Sequence, residues 1–288
     1  MNNQQAILGR LQKMQLVVKT RKRGLHKGSR QSSHFGSSLE FSDFRAYQPG
    51  DDIRQIDWNV YGRTQKHYIK RYLDEQELAI AIYLDATSSM RAITSKWEFS
   101  KQLAAFLSYI VLASEDRLFF SPVASKNLQA VRRKGAVSSR RTYLEILSLT
   151  ENEQTGEFIT SLQNTVTKNQ QLTILITDGL EELDKVEALL KKLSSLKQEI
   201  WLFQVLSSEE ILPTYMGDLK LIDSESNIAV NVSINPIIIS DYEKRLKEHN
   251  RGLERLCRRY GGHYIPVVDD SNLQSILFHE LPSRGLIR

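Results

Sequence analysis

The stretch ELAIAIYLDATSSM, residues 77–90, decides the fold of this 288-residue chain. Its apolar run at 78–84 is typical of a strand buried inside a parallel sheet. Asp85, Thr87 and Ser89 follow in the loop at the C-terminal end of that strand, where open α/β sheets bind their ligands. One carboxylate and two hydroxyls are oxygen donors, and such donors suit a hard cation such as Mg²⁺.

A second apolar run ends in the same way. Residues 171–177, QLTILIT, lead directly into Asp178. If the strands 78–84 and 171–177 are neighbours at the switch point of the sheet, their loops open into one crevice and Asp85 and Asp178 converge on one cation. The alternative is two unrelated polar turns that merely end two strands, because Ser, Thr and Asp also cap helices.

The rest of the chain alternates between strands and helices from residue 78 onward. The strands are predicted at 78–84, 116–121, 127–132, 171–177, 200–206 and 262–268, and the helices at 95–113, 139–149, 156–168, 181–197, 237–259 and 270–280. Residues 218–234 resemble a hairpin or a short irregular insert. Alternation of this kind predicts an α/β fold with a doubly wound, mostly parallel sheet and an irregular N-terminal extension.

Composition narrows the class of protein. With 41% apolar and 25% charged residues, the chain is typical of a globular protein. Its single cysteine, Cys257, excludes a disulfide framework within the chain and a cysteine zinc site. No signal peptide pattern is visible, and no apolar run approaches the roughly 20 residues of a membrane span. We therefore expect a cytoplasmic protein without a membrane span.

The positive charge is concentrated near the N-terminus. Residues 13–30 contain seven Lys and Arg residues and no acidic residue. We expect residues 1–38 to form a basic arm, with a short amphipathic helix in 3–17 and an exposed or mobile Ser/Gly/His-rich segment at 19–38. Such an arm could contact nucleic acid, anionic lipid or an acidic partner. No nucleic-acid-binding motif accompanies it, which argues against nucleic acid.

Residues 39–64, LEFSDFRAYQPGDDIRQIDWNVYGRT, closely resemble the signature of the "domain of unknown function 58" family. The residues that carry the resemblance are Glu40, Phe41, Arg45, Tyr47, Gly50, Asp51, Asp52, Arg54, Ile56, Asp57, Trp58 and Arg63. Gly62 stands where the family pattern has Ala. The D-x-T-x-S sequence at 85–89, with the α/β pattern around it, is similar to a von Willebrand factor A domain.

The resemblance implies a metal-ion-dependent adhesion site that holds Mg²⁺ or Mn²⁺. Asp85, Thr87 and Ser89 would be the first-loop ligands, with Thr87 in place of the usual serine, and Asp178 would be the third-loop ligand. The second-loop ligand stays open among Ser138, Ser139 and Thr142, of which Thr142 is our candidate. A carboxylate of a partner protein would complete the coordination. The resemblance also implies a partner class, the MoxR-type AAA+ ATPases.

The signature block at 39–76 has two interpretations. Its charged and aromatic residues could form a partner-binding surface beside the metal site. They could equally form an ion-pair network that folds an irregular segment onto the sheet, since arginine–carboxylate pairs suit that task. The predicted domains are therefore the arm at 1–38, the signature block at 39–76, packed on the sheet, and a von Willebrand factor A-like domain at 77–288.

Missing motifs exclude several enzyme classes. The chain contains no P-loop, no G-x-G-x-x-G after a strand and no G-x-S-x-G. Phosphatases of the haloacid dehalogenase type need a second carboxylate two residues after the first, and Thr87 occupies that position. We predict a non-enzymatic, metal-dependent protein-interaction module that works as an adaptor. The alternatives are a metal-dependent phosphoester hydrolase and a scaffold with a degenerate, metal-free site.

Overall fold

The computed structural model describes residues 2–19, 27–126, 129–150, 156–215, 217–222 and 229–288. The chain divides into two compact units. One, the sheet unit, contains the described residues of 1–22 and 79–288, and the other, the signature unit, contains those of 23–78. The predicted boundary at 38/39 lies within the signature unit, and the predicted packing of residues 39–76 on the sheet stays a prediction.

The described residues form ten strands and eleven helices. The strands are β1 (Lys27–Ala46), β2 (Tyr68–Gln76), β3 (Ala79–Asp85), β4 (Arg117–Val123), β5 (Val131–Lys134), β6 (Leu172–Thr177), β7 (Glu199–Leu206), β8 (Gly217–Ile222), β9 (Ala229–Ile234) and β10 (His263–Val268). The helices are α1 (Asn2–Leu11), α2 (Trp58–Thr64), α3 (Ser88–Arg91), α4 (Thr94–Ala113), α5 (Ser139–Leu147), α6 (Phe158–Thr165), α7 (Leu183–Ser195), α8 (Ser208–Ile211), α9 (Pro236–Arg259), α10 (Leu273–Ser275) and α11 (Leu281–Ser283). Single 3₁₀ turns occur at Ile53–Gln55 and Ala136–Ser138, and a π turn, Ile276–Glu280, separates α10 from α11.

The sheet unit is built on a six-stranded sheet with the order β10-β7-β6-β3-β4-β5. Its first five strands are parallel, and β5 alone runs antiparallel, beside β4. Every residue of β6 and β7 is buried, which is typical of strands covered on both faces. The predicted doubly wound, mostly parallel α/β fold is therefore confirmed. The predicted strand at 127–132 begins at Val131, and residues 127 and 128 lie outside the described part.

Helices cover both faces of this sheet. On one face α6, α7 and α9 pack against alternate residues of the strands, among them Tyr83, Leu175 and Leu202. On the other face α4 contacts four of the strands, and α1 and α5 pack against α4. From Leu103 onward the side chains of α4 are almost all apolar, and 15 of the 20 residues of the helix are buried. A helix of that composition is stable only inside a protein, which explains its central place.

The signature unit contains β1 and β2, which pair as an antiparallel two-stranded sheet, and the short helix α2. The register of β1 against β2 shifts four times between Lys27 and Asp43. Residues 27–38 therefore belong to a strand, and the expectation that 19–38 is exposed or mobile stays a prediction. Ser- and Gly-rich sequence lacks strand propensity, and this strand depends instead on pairing with a distant partner, interrupted by bulges. The predicted arm residues 20–26 lie outside the described part of the chain.

The described N-terminal residues up to 17 pack against the rest of the sheet unit. Helix α1 ends at Leu11, which is fully buried like Leu16. Residues 15–17 run antiparallel to 286–288, and the backbone N–H of Gln15 donates to the carbonyl of Arg288 at 2.9 Å, with the reciprocal bond at 3.0 Å. Two leucines within a basic sequence are enough to dock this segment, because a fully buried leucine stabilises by about 2 kcal/mol.

Strands β8 and β9 pair as a separate antiparallel hairpin, one of the two alternatives expected for 218–234. Leu221 lies opposite Val230 on one face of the hairpin, and both side chains are about half exposed. The opposite face carries polar pairs such as Asp218 and Ser233. As for a bilayer, none of the helices in the described segments combines the length and the apolar character needed to cross one.

Candidate metal and partner-binding site

The C-terminal ends of β3 and β6 lie side by side. The two strands pair in parallel, with Leu84 opposite Ile176. Asp85 is the last residue of β3, and Asp178 follows the last residue of β6. Both carboxylates are buried, and the charge of Asp178 acts on Asp85. The condition set by the sequence, that the two strands be neighbours, is therefore met.

A chain of hydrogen bonds fixes the carboxylate of Asp85. Its Oδ1 accepts from the backbone N–H of Thr87 at 2.9 Å and from Thr87 Oγ1 at 2.7 Å, and its Oδ2 accepts from Thr177 Oγ1 at 2.7 Å. Thr87 Oγ1 and Ser89 Oγ lie 3.0 Å apart. Because the only hydroxyl proton of Thr87 is given to Asp85, Ser89 is the donor in this last bond. The structure therefore brings Asp85, Thr87 and Ser89 into direct contact.

Burial raises the pKa of Asp85 to about 7, and the negative charge of Asp178 adds to the increase. Hydrogen bonds from Thr177 and Thr87 act in the opposite direction but do not compensate. An ionised carboxylate away from water needs a positive charge nearby. This end of the sheet is therefore a place where a cation would be stabilised.

The sequence analysis missed the cation that the chain itself supplies. Lys96, in the first turn of α4, is fully buried, and its Nζ lies 3.2 Å from Asp178 Oδ2 and 2.7 Å from Glu210 Oε1. Burial lowers the pKa of Lys96, but the charges of Asp178 and Glu210 outweigh this effect and raise it above its ordinary value. Lys96 is therefore a charged lysine inside the site.

Two features of the sequence could have pointed to this ion triad. A lysine in the first turn of a helix opposes the helix dipole, so it needs a specific partner. Glu210 is the last residue of an S-x-x-E sequence that directly follows β7. In the structure it forms a capping box with Ser207, in which Glu210 Oε2 accepts from the Ser207 N–H at 2.7 Å.

The loop after β6 is held by contacts to β7 and α9. Gln204 Nε2 donates to the backbone carbonyl of Asp178 at 2.9 Å and to Asn250 Oδ1 at 2.9 Å. A ring nitrogen of His249 lies 2.7 Å from the carbonyl oxygen of Gly179. Gly179 has a φ of +64°, and a Cβ at this residue would lie 3.2 Å from Leu253 Cδ1. Glycine therefore allows the sharp turn that presents Asp178.

The second-loop candidates make bonds of a different kind. Thr142 is fully buried, and its hydroxyl donates to the carbonyl of Ser138 at 2.9 Å. The hydroxyl of Ser139 donates to the carbonyl of Ala136 at 2.7 Å. Both bonds stay within the local helical turns, so Thr142 as a metal ligand stays a prediction.

The donor set suits a hard cation. Asp85 and Asp178 supply carboxylates, and Thr87 and Ser89 supply hydroxyl oxygens, the ligand chemistry that Mg²⁺ prefers. Across the described segments, no group of three or more His, Cys, Asp or Glu side chains is arranged to hold a metal ion. A cation here would therefore depend on hydroxyls and outside ligands as well as on the two aspartates.

The signature residues form their own ion pairs. Arg45 contacts Asp51 at 2.7 Å, and Arg54 contacts Asp52 at 3.0 Å. Asp57 caps α2 through the N–H groups of residues 59 and 60 and pairs with Lys70 at 3.1 Å. These pairs all lie within the signature unit, and the choice between an ion-pair network and a partner-binding surface stays a prediction.

The remaining signature residues lie outside this network. Gly50 adopts a φ of +105° in the turn that precedes Asp51. Tyr47 and Trp58 join an aromatic group around His67, and Arg63 is exposed on α2.

The fold and the site together define a doubly wound α/β protein with two aspartates at the C-terminal edge of its sheet. The family model described as "Protein of unknown function DUF58" matches residues 43–252. The chain therefore belongs to this family, as the signature at 39–64 predicted.

Two mycobacterial proteins are similar along nearly the whole chain. The uncharacterized protein Rv1480 of Mycobacterium tuberculosis (strain H37Rv) is 22% identical over 283 residues, which cover 95% of this chain and 88% of the relative. The uncharacterized protein Mb1516 of Mycobacterium bovis gives the same values.

Similar solved structures include a von Willebrand factor A domain. The VWA domain of SpRpn10 has a TM-score of 0.43 at 11% identity and covers 72% of this chain and 96% of its own. The conserved hypothetical protein BatB from Bacteroides thetaiotaomicron has a TM-score of 0.36 at 15% identity. The match covers 72% of this chain and 98% of the BatB chain. The fold class itself is established by the strand order of this chain.

Proposed function

We propose that the protein is a non-enzymatic, metal-dependent protein-interaction module. The observation that supports this function is the meeting of Asp85 and Asp178 at one edge of the sheet, with Thr87 and Ser89 hydrogen-bonded to the first of them. These four residues would hold Mg²⁺ or Mn²⁺, with Thr142 as the least supported ligand. The metal would supply a Lewis-acidic position for an Asp or Glu of the partner.

The chain's own residues contribute orientation and charge. Thr177 and the N–H of Thr87 keep the carboxylate of Asp85 in one position, and Gln204 holds the backbone of Asp178. Both oxygens of Asp85 accept hydrogen bonds from threonine hydroxyls, those of Thr87 and Thr177, which fixes this carboxylate as an oriented ligand. This arrangement supports a binding role.

We propose a MoxR-type AAA+ ATPase as the partner and a cytoplasmic adaptor role in protein maturation or complex assembly. The support for this partner is the family resemblance alone. The test mixes the full chain with such an ATPase in the presence of Mg²⁺ and again after chelation with EDTA. We expect co-elution that EDTA abolishes, and co-elution that survives EDTA would contradict a metal-dependent contact.

Lys96 favours a second candidate, a scaffold with a metal-free site. Its ammonium group already pairs with both Asp178 and Glu210 from inside the protein and offsets one of their two negative charges. In this case the site needs no metal, and the ion triad holds the end of the sheet together.

Calorimetric titration with Mg²⁺ and Mn²⁺ separates the two candidates. A metal-dependent site gives saturable binding in the wild type, loss of binding in Asp85→Ala, and unchanged binding in Asp241→Ala, an exposed aspartate used as the matched control. A metal-free site gives no binding in the wild type, while Lys96→Met, which removes the internal cation, gains binding. Circular dichroism of each variant confirms that it is folded.

A further inference from the structure

The signature unit exposes an aromatic group. Trp58, the first residue of α2, is 61% exposed, whereas Trp97 and Trp201 are 3% and 0% exposed. The ring of Trp58 meets Tyr61 and His67 edge to face, with centroids 6.0 and 6.3 Å away, and Tyr61 stacks on His67 at 4.5 Å. A large ring that is held in place yet left in water is unusual, because burying it would stabilise the fold.

Cations accompany these rings. Arg63 and Lys66 are exposed, at the end of α2 and in the turn after it. The neighbouring carboxylates are already paired within the unit, namely Asp51 with Arg45, Asp52 with Arg54, and Asp57 with Lys70. Among the carboxylates whose side chains the structure describes, none lies within 4 Å of Arg63 or Lys66. We define the Trp58 surface as Trp58, Tyr61, Arg63, Lys66 and His67.

The described contacts that stabilise the signature unit do not require the side chain of Trp58. Asp57 caps α2 through its carboxylate, and Ile56 and Ile69 are buried and bridged to each other. The signature unit therefore has an apolar contact and a helix cap that do not involve the indole ring of Trp58. Tryptophan, tyrosine and arginine are the residue types that dominate binding energy at protein–protein interfaces.

We propose that the Trp58 surface docks an acidic segment of a partner protein that carries an apolar side chain. The apolar side chain packs on the open face of Trp58, and the carboxylates pair with Arg63 and Lys66. This contact goes beyond the proposed function, because it uses the signature unit and needs no metal.

The charges and ring geometry favour a peptide over single-stranded nucleic acid. Nucleic acid needs several open ring faces for successive bases and a track of cations for the backbone. Here the stacking of Tyr61 on His67 covers one face of each ring, so the exposed Trp58 is the main ring available, and the exposed cations are Arg63 and Lys66.

The test uses the full chain and three labelled twelve-residue peptides. The first combines Glu with two Phe residues, the second replaces each Glu by Lys, and the third replaces each Phe by Gly. We expect only the first to bind with saturable anisotropy, with a blue shift of the tryptophan emission, since Trp58 is the exposed tryptophan. EDTA leaves this binding unchanged. Trp58→Ala weakens it at least tenfold, and Lys66→Glu weakens it severalfold.

Two exposed residues of the sheet unit supply matched controls. Leu212→Ala removes an apolar side chain that is 65% exposed, and Lys191→Glu reverses an exposed cation, so neither should change the binding. The proposal is overturned if the Glu/Phe peptide does not bind, if Trp58→Ala binds it as well as the wild type, or if a single-stranded RNA competes more strongly than the peptide. Binding that EDTA and Asp85→Ala abolish, while Trp58→Ala preserves it, would support the metal site and overturn the Trp58 surface.

Discussion

At the scale of the residue, the buried ammonium group of Lys96 contributes a positive charge to the site. It lies between Asp178 and Glu210, on the edge of the sheet that also carries Asp85. Two carboxylates in a buried place repel each other, and a tethered cation relieves this repulsion without any ligand. A metal at this site would therefore share the carboxylate of Asp178 with a lysine.

We expect Lys96→Met to destabilise the protein by about 3 kcal/mol, because it leaves two partly buried carboxylates without their cation. The midpoint of urea unfolding measures this loss. Adding Asp178→Asn to Lys96→Met should recover part of it, since the double variant removes one of the unpaired charges. Independent, additive effects of the two substitutions would contradict a direct pair.

The raised pKa of Asp85 predicts a pH dependence of stability for the metal-free protein. Its pKa is about 7 in the folded protein, against an ordinary value of 3.8, so between these pH values the folded state binds more protons than the unfolded state. The free energy of unfolding therefore falls as pH rises from about 4 to about 7, by at most about 1.4 kcal/mol per pH unit.

Urea unfolding at pH 5, 6, 7 and 8 in EDTA measures this dependence. Asp85→Asn cannot ionise, so the downward slope should be smaller in this variant than in the wild type. Identical slopes for the two proteins would show that Asp85 ionises normally in the folded state.

At the scale of the element, the turn from β6 into Asp178 depends on Gly179. We expect Gly179→Ala to destabilise the protein by about 1–2 kcal/mol, because alanine is strained at a φ of +64° and its Cβ would crowd Leu253. Gly261→Ala is the matched control, with a φ of +72° and no atom within 4 Å of the added Cβ. The difference between the two unfolding free energies isolates the contact with Leu253.

The strands of the main sheet could be predicted from the sequence because parallel strands buried on both faces are continuous apolar runs. The stretch 78–84 became β3, and 171–177 became β6, each within one or two residues of the expected bounds. Asp85 and Asp178 follow from the same pattern, because a strand that ends in a carboxylate delivers it to a known edge of the sheet.

Other features depend on contacts between residues far apart in the chain. Lys96 meets Asp178 and Glu210 across 82 and 114 residues, and nothing in the local sequence fixes that meeting. Strand β1 likewise exists through its pairing with β2, while its Ser and Gly residues suggest a loop. Local patterns predict local structure, and these two features are not local.

At the scale of the whole molecule, the first residues of the sheet unit are joined to its last ones. We expect Leu16→Ala to cost about 2–4 kcal/mol, because Leu16 is fully buried and is bridged to Ile287. Leu212→Ala, at a site 65% exposed, should change the free energy of unfolding by less than about 0.5 kcal/mol. Thermal or urea unfolding measures both, and equal small effects would mean that residues 15–17 do not dock.

The same pairing sets an order of events during synthesis on the ribosome. Residues 15–17 are translated long before their partners at 286–288. At roughly 5–20 residues per second, the N-terminal segment waits for about 13–54 s before its partner strand exists. Throughout that interval the side chains of Leu11 and Leu16 are available to chaperones, whereas both are fully buried in the finished protein.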